Sequence, residues 1–281
     1  MLSSMTLSER NTIFKVGIFL PAAVLAGVAV TLFLIIPTYP SAMGEAVRRS
    51  SGIMQSLTAR FFQPSPYAPV IAMAGAVLYA LIALIIIYCY FEKTQSPEIL
   101  YIAFFALSFA LEGTRIMTPL KLKYDLPSIY LIMASRVMIF GRYFGIFSLF
   151  AASVYAAGLA MQQQRHIVFI IVLLALAITL GVPIDGLVWD SSLCMISGYT
   201  SMFTIVEAGI IAVTLASFFI SAYSRGIKEY VFIGVGAFLA VLGRSMLFSA
   251  DTWVTPLPAL LMLIAGTWFI CTRLHQVYLW H

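Results

Sequence analysis

Long apolar runs alternate with short polar breaks along the chain, and this pattern predicts membrane-spanning helices. Most of these runs are close to the roughly 20 residues that a helix needs to cross the hydrocarbon core of a bilayer. The breaks contain proline, glycine, glutamine or charged residues, which end helices. We therefore expect an all-α, polytopic membrane helical bundle of about eight transmembrane helices. The expected spans are Phe14–Pro37, Tyr67–Phe91, Ile99–Leu120, Tyr130–Met161, Ile167–Val182, Thr200–Ala222, Tyr230–Ala250 and Leu257–Leu274.

Three of these runs have unusual lengths. A helix over Tyr130–Met161 would reach about 48 Å, against a hydrocarbon core of about 30 Å, so it must tilt, protrude or break. The fifth and eighth runs are short enough to leave open whether they cross the bilayer completely.

The stretch Pro183–Ser192 is expected to be an irregular loop because it combines proline, glycine and aspartate.

The longest polar break, Thr38–Gln63, has a helical pattern of its own. Its apolar positions recur at near-helical spacing, and charged positions fall opposite them. This pattern predicts an amphipathic helix, either lying on the membrane surface or folded over the bundle as a connection. The apolar residues are Met43, Val47, Met54, Leu57 and Phe61, and the charged residues are Glu45, Arg48, Arg49 and Arg60. No stretch is polar and long enough for a separate soluble domain, so residues 1–281 are expected to form a single transmembrane domain.

Composition narrows the class of protein further. Hydrophobic residues make up 62% of the chain and charged residues only 10%, as in a protein whose partner is the lipid bilayer. The formal net charge of +5 is not gathered into a basic cluster with interleaved aromatic residues, so no nucleic-acid partner is expected. Three cysteines and three histidines, with no clustered spacing, predict neither a disulfide framework nor a metal or haem site. We expect no cofactor, and the absence of a catalytic motif favours a protein that is not an enzyme.

Charges inside the apolar runs are the candidate functional residues. An ionisable side chain at membrane depth is expensive unless it is paired or wetted, so each one indicates an ion pair or a functional site. The candidate ligand-binding residues are Glu112, Arg115, Arg136, Arg142, Glu207 and Arg244. All six are expected in the same half of the bilayer, the extracytoplasmic half.

Depth along the helices predicts how these charges meet. Glu112 and Arg136 lie at similar distances from the loop that joins the third and fourth spans. Glu207 lies seven residues below the outer start of the sixth span, and Arg244 lies about six residues below the outer end of the seventh span, so these two also match in depth. Two interpretations remain open. Either Glu112–Arg136 and Glu207–Arg244 are closed ion pairs that order the helices, or the charges line a wet cavity whose excess arginine favours a carboxylate or phosphate group.

Loop charges predict the orientation of the bundle. Basic residues of short loops accumulate on the cytoplasmic side of a membrane. The two last loops on the other side carry Asp185, Asp190 and Asp251 but no Lys or Arg. We therefore expect an integral protein of the cell or inner membrane with both termini in the cytoplasm. The residues placed inside are Arg10, Lys15, Lys93, Arg165, Arg225, Lys228 and Arg273, and those placed outside are Arg48, Arg49, Arg60, Lys121 and Lys123.

A short sequence similarity between the two halves of the chain bears on function. Ile139–Arg142 resembles Val241–Arg244, each ends in Gly-Arg, and Phe-Ser follows each a few residues later, beginning at Phe147 and at Phe248. Such a similarity is typical of inverted three-helix repeats in transporters, but it also arises by chance in apolar sequences. The favoured hypothesis is a protein that binds or transports a small polar or anionic solute. The alternatives are a receptor-like sensor that signals to a separate membrane or cytoplasmic partner, and a structural or assembly subunit of a membrane complex.

Overall fold

The computed structural model describes residues 7–35, 65, 67–91, 96–159, 164–190 and 193–280. Eight helices in this part of the chain are long and apolar enough to cross a membrane, which confirms the expected all-α bundle. The amphipathic helix predicted within Thr38–Gln63 lies outside the described residues. In chain order the elements are α1 (Leu7–Ile35), α2 (Ala68–Phe91), α3 (Pro97–Ser108), a 3₁₀ segment (Phe109–Ile116), α4 (Met117–Tyr124), α5 (Ser128–Ala156), α6 (Gln164–Gly181), β1 (Ile184–Trp189), β2 (Met195–Ser197), α7 (Thr200–Arg225), α8 (Glu229–Phe248) and α9 (Pro256–Trp280).

The third span is one continuous crossing made of three pieces. It starts at Ser96, whose hydroxyl accepts a hydrogen bond from the Ile99 amide, with Pro97 in the first helical turn. The chain then tightens into the 3₁₀ segment before α4 restores the α-helix and ends at Asp125 in the left-handed conformation. In a 3₁₀ helix side chains three residues apart lie directly above one another. This geometry places Glu112 and Arg115 on the same edge of the span.

The third span and α5 form the centre of the bundle. Tyr101, Phe105 and Phe109 are completely buried, and the stacked rings of Tyr101 and Tyr155 join α3 to α5 with centroids 5.2 Å apart. By contrast, α7 is peripheral, with Ile205, Ile220 and Tyr223 exposed. Apolar side chains on such a surface are stable in contact with lipid. Within the central third span, Glu112 and Arg115 are enclosed by protein.

A small β-hairpin follows α6, where an irregular loop was expected. β1 and β2 pair antiparallel, with Ile184 opposite Ser197 and Trp189 opposite Met195. The turn is closed by hydrogen bonds between Asp190 and Cys194, whose amide donates to the Asp190 carboxylate at 2.9 Å. The expectation failed because proline, glycine and aspartate at the ends of short strands resemble a plain loop. We call this end of the bundle the hairpin side, and the opposite end, where α1 begins and α9 ends, the terminus side.

Small residues allow α8 and α9 to approach closely. A Cβ atom built on Gly243 would lie 2.6 Å from the Ala259 carbonyl oxygen, and one on Gly266 would lie 2.5 Å from the Ala240 amide nitrogen. The backbones therefore touch at positions where only glycine fits. Tight packing of this kind replaces the hydrophobic effect as a source of helix association in a membrane. The contact holds Arg244, on the other face of α8, at a defined position relative to α5 and α7.

Candidate functional site

Glu112 is the centre of a buried ionic cluster. The Arg115 Nη2 atom lies 2.6 Å from Glu112 Oε2, within the same 3₁₀ segment. From α5, Arg142 donates through Nε to Oε1 at 2.8 Å and through Nη2 to Oε2 at 3.2 Å. The Glu112 side chain is only 2% exposed, so both of its oxygens are neutralised inside the protein. Such bidentate pairing offsets much of the cost of placing a carboxylate at membrane depth.

A second ion pair joins α7 to α8 beside the first. Arg244 Nη1 lies 2.5 Å from Glu207 Oε1, so this pair forms as the sequence predicted. The other terminal nitrogen of Arg244 donates to the Arg142 carbonyl oxygen at 3.1 Å and thereby connects α8 to α5. The two pairs are therefore one network that spans the third span, α5, α7 and α8.

The ring of Phe248 lies against all three guanidinium groups of this network. Its centroid is 5.7 Å from the Arg115 Cζ atom, 4.6 Å from that of Arg142 and 4.7 Å from that of Arg244. The Phe248 carbonyl oxygen also accepts a hydrogen bond from Arg115 Nη2 at 3.1 Å. An aromatic face attracts cations electrostatically, so one ring stabilises three neighbouring positive charges.

The hairpin covers this network from its own side of the bundle. The buried Cys194 thiol accepts a hydrogen bond from Arg142 Nη2 at 3.3 Å and lies 3.7 Å from the Met138 sulfur atom. A hydrogen bond from the Thr118 hydroxyl to the Leu193 carbonyl oxygen anchors the hairpin to α4. The hairpin therefore contacts one part of the Arg142 side chain, and another part of that side chain is exposed.

That exposed part faces a polar cavity between α5, α7 and α8. The cavity has a volume of about 420 Å³, which is enough for a small organic solute. Its charged lining includes Arg142, Glu207 and Arg244, whose side chains are 24%, 34% and 1% exposed. The remaining lining residues are Asp190, Thr204, Ala208, Ile211, Ser245, Phe248 and Ser249.

The six predicted ligand-binding residues separate into three groups. Arg142, Glu207 and Arg244 line the cavity. Glu112 and Arg115 belong to the same network but lie behind Arg142, away from the cavity lining. These five are brought together, although their role in binding a ligand stays a prediction.

Arg136 does not take part in the cluster, and the expected Glu112–Arg136 pair does not form. Its Nη1 atom donates instead to the Thr179 carbonyl oxygen near the end of α6. Arg136 and Arg142 are six residues apart on one helix, which separates their directions by about 240°. Depth alone was therefore the wrong criterion, because Arg142 rather than Arg136 is on the face of α5 that points toward Glu112.

Two residues of the site are absent from the candidates that the sequence indicated. Phe248 follows Arg244 by four residues, the spacing that stacks two side chains on one helix face, and this signal is present in the sequence. Cys194 has no such signal, because its contact with Arg142 depends on the fold of the hairpin.

The similarity between Ile139–Arg142 and Val241–Arg244 is not matched by similar packing. Gly141 packs against Leu111 of the preceding span, whereas Gly243 packs against α9, the following one, so the two positions are not equivalent.

The network leaves hydrogen-bond donors without partners. The buried Nε atoms of Arg115 and Arg244 have none among the described residues. Buried donors of this kind are uncommon in proteins. Across the described part of the chain, no group of three or more His, Cys, Asp or Glu side chains could hold a metal ion. The charged groups of the site are guanidinium and carboxylate groups.

A second, apolar cavity of about 580 Å³ lies between α5, α6 and α7, on the other side of the contact between α5 and α7. Its lining includes Phe147, Ile170 and Val213, and near the middle of α7 it includes Gly209, beside which a Cβ would meet nothing within 4 Å. The helix α7 is thus bordered by a cavity on each side. This loose packing sets it apart from the tightly joined pair α8 and α9.

Comparisons with known proteins add a limited finding to this geometry. No protein-family model matches the chain. A 125-residue stretch is 27% identical to an uncharacterized protein of Treponema pallidum (strain Nichols). The match covers 44% of this chain and 36% of that protein, so the chain spans about a third of the length of its relative. The class of protein rests on the eight apolar helices, which make this a multi-pass membrane protein.

Proposed function

We propose that this protein binds a small polar solute with an anionic group in the cavity between α5, α7 and α8, as a solute transporter or its membrane subunit. One observation carries the proposal. Three guanidinium groups share two carboxylates in one buried network, and the partly exposed Arg142 of that network lines the cavity. Arginine is the side chain best suited to hold a carboxylate or phosphate through parallel hydrogen bonds.

The position of the network within the membrane-spanning helices supports a role in solute binding. Arginine inside a membrane-spanning region is rare and commonly marks the pathway of a substrate or ion. Arg142 belongs both to the buried ionic network, where it neutralises Glu112, and to the lining of the cavity. A solute at Arg142 would therefore act directly on the network that connects four helices.

The proposal includes an orientation. We place the hairpin side outside the cytoplasm and both termini inside, so that the cavity is in the extracytoplasmic half of the membrane. The basic residues Arg165, Arg225, Lys228 and Arg273 then all face the cytoplasm, in agreement with the distribution of positive charge in membrane proteins.

The accessibility of the cavity can be tested by cysteine labelling. In a chain with Cys89, Cys194 and Cys271 replaced by alanine, single cysteines are introduced at Thr204 and at Ser245. A membrane-impermeant thiol reagent applied to the outer side should label both positions, because both line the cavity. The control is Ser148→Cys, which is completely buried on α5 and should stay unlabelled.

The same labelling reports binding. Added acetate or inorganic phosphate should slow the labelling of Ser245→Cys if an anion occupies the cavity beside Arg142 and Arg244. Equal labelling rates with and without both anions would contradict an anion site. Labelling only from the terminus side would instead overturn the orientation.

A structural or assembly role is the second candidate, and one observation favours it. Glu112 is almost completely buried, and both of its oxygens are engaged by arginines of the chain itself. If the whole network served only to order helices, the cavity would be dry and neither Thr204→Cys nor Ser245→Cys would react from either side.

A further inference from the structure

Both signs of charge are accessible in the cavity. The Arg142 side chain is 24% exposed and the Glu207 side chain 34% exposed, while Glu112 and Arg244 are enclosed. A second carboxylate, that of Asp190, also lines the cavity. A cavity made only for anions would not need accessible carboxylates in its wall, since they repel the ligand.

The accessible groups also have unused hydrogen-bonding capacity. Glu207 receives Arg244 on Oε1, and its Oε2 atom has no partner among the described residues. Arg142 uses Nε and Nη2 on Glu112 and Cys194, which leaves Nη1 without a partner in the same part of the chain. One face of the cavity therefore offers an acceptor with negative charge, and the neighbouring face offers a donor with positive charge.

We infer that the solute is a zwitterion, with its anionic group at Arg142 and its ammonium group at Glu207. This inference rests on the proposed binding function and specifies its substrate class. A singly charged anion would face the partly exposed Glu207 carboxylate, and a simple amine would face the partly exposed Arg142 guanidinium. A molecule that carries both charges a few bonds apart complements each wall.

The rest of the lining limits the remainder of the molecule. Ala208, Ile211 and the ring of Phe248 provide an apolar surface next to the charged groups, and Thr204 and Ser245 provide hydroxyls. The volume of about 420 Å³ exceeds what the two charged groups alone would fill. The zwitterion is therefore expected to carry an apolar or mixed side group, as a free α-amino acid does.

The test compares matched compounds on the purified full-length protein in detergent. One set consists of phenylalanine, 3-phenylpropionate, which lacks the ammonium group, and phenethylamine, which lacks the carboxylate. A second set consists of leucine, 4-methylpentanoate and isoamylamine. Affinities are measured by isothermal titration calorimetry. In at least one set the zwitterion should bind at least about tenfold more tightly than either singly charged compound, because it alone satisfies both walls of the cavity.

Substitution of Glu207 assigns the ammonium contact. Glu207→Gln keeps a hydrogen-bonding group for Arg244 but removes the charge, so affinity for the zwitterion should fall about tenfold while affinity for the carboxylate stays the same or rises. The matched control is Glu229→Gln on α8. Glu229 is 32% exposed and pairs with Arg273 on the terminus side, far from the cavity, so affinities should be unchanged.

The possible results separate the inference from the proposed function. Tighter binding of 3-phenylpropionate or 4-methylpentanoate than of the matching zwitterion would overturn the zwitterion and leave the anion site intact. Equal loss of zwitterion and carboxylate affinity in Glu207→Gln would also overturn the assigned ammonium contact. If no compound of either set binds and no anion slows cysteine labelling, both the zwitterion and the solute-binding function are rejected.

Discussion

At the scale of single residues, the direction in which a side chain points around its helix axis decides its partner more than its depth in the membrane does. Glu112 meets Arg115 because the 3₁₀ segment aligns positions three apart, and it meets Arg142 because that residue faces the third span. Arg136, at a depth that matched, faces α6 instead. Each arginine that contacts Glu112 also lies near the ring of Phe248, so the network combines ion pairs with an aromatic surface.

Removal of the Glu112 charge should be strongly destabilising. Glu112→Gln leaves Arg115, which is almost fully buried, without its counter-charge, and breaking a buried pair costs about 3–5 kcal/mol. Glu229→Gln breaks a partly exposed pair with Arg273 and should cost at most about 1 kcal/mol. Unfolding of the two variants in mixed detergent micelles measures both changes in free energy. Similar values for the two variants would show that the buried network does not stabilise the helix order.

At the scale of helices, packing density differs across the bundle. The pair α8 and α9 is in backbone contact through Gly243 and Gly266, whereas α7 has a cavity on each of two sides. The network nevertheless ties α7 to the rest through Glu207 and Arg244. At the other end of α7, Arg225 donates to the Tyr155 carbonyl oxygen at 3.4 Å. These polar contacts hold a helix that apolar packing holds only weakly.

Two glycine substitutions should have opposite effects. Gly243→Ala places a Cβ against the backbone of α9 and should destabilise the protein by about 1–3 kcal/mol, the range found for overpacked cores. Gly209→Ala meets nothing within 4 Å and should stabilise α7 by about 0.5–1 kcal/mol, because alanine has the higher helix propensity. Thermal unfolding of both variants under identical detergent conditions measures the sign of each change. A stabilising Gly243→Ala would show that α8 and α9 are less tightly packed than the structure indicates.

At the scale of the whole molecule, eight crossings bring the start of α1 and the end of α9 to the same side. Contacts on this terminus side join distant parts of the chain. Arg10 donates to the Phe91 carbonyl oxygen at 2.9 Å, and Arg165 pairs with Glu9 at 2.6 Å. The network around Glu112 is placed toward the hairpin side. The polar contacts thus differ between the two ends of the bundle. Those on the terminus side connect the ends of helices, and the network on the hairpin side borders a cavity.

Reporter fusions should reveal the orientation of the bundle. Green fluorescent protein fused after His281 should fluoresce in a bacterial host, and alkaline phosphatase at the same position should be inactive, if the terminus side is cytoplasmic. Alkaline phosphatase fused after Asp251, in the loop between α8 and α9, should be active. The reverse pattern at both sites would invert the proposed orientation and place the cavity in the cytoplasmic half.

The boundaries of the spans follow from the sequence because the cost of exposing polar groups to hydrocarbon depends on local composition. The expected span Thr200–Ala222 corresponds to α7 at Thr200–Arg225, and the expected span Tyr67–Phe91 corresponds to α2 at Ala68–Phe91. The same cost distinguishes the six intramembrane charges as candidates, since each interrupts a run of apolar residues.

Tertiary structure alone decided which of these charges meet. A helical sequence shows how far along its axis a side chain lies, but rotation about the axis is set by packing against neighbouring helices. The 3₁₀ segment, the hairpin over Arg142 and the backbone contact at Gly243 all depend on such packing. Sequence therefore determined that this is a bundle with charges inside the membrane. The fold determined that Arg142, Glu207 and Arg244 border one cavity, because only the assembled helices bring three separate faces together.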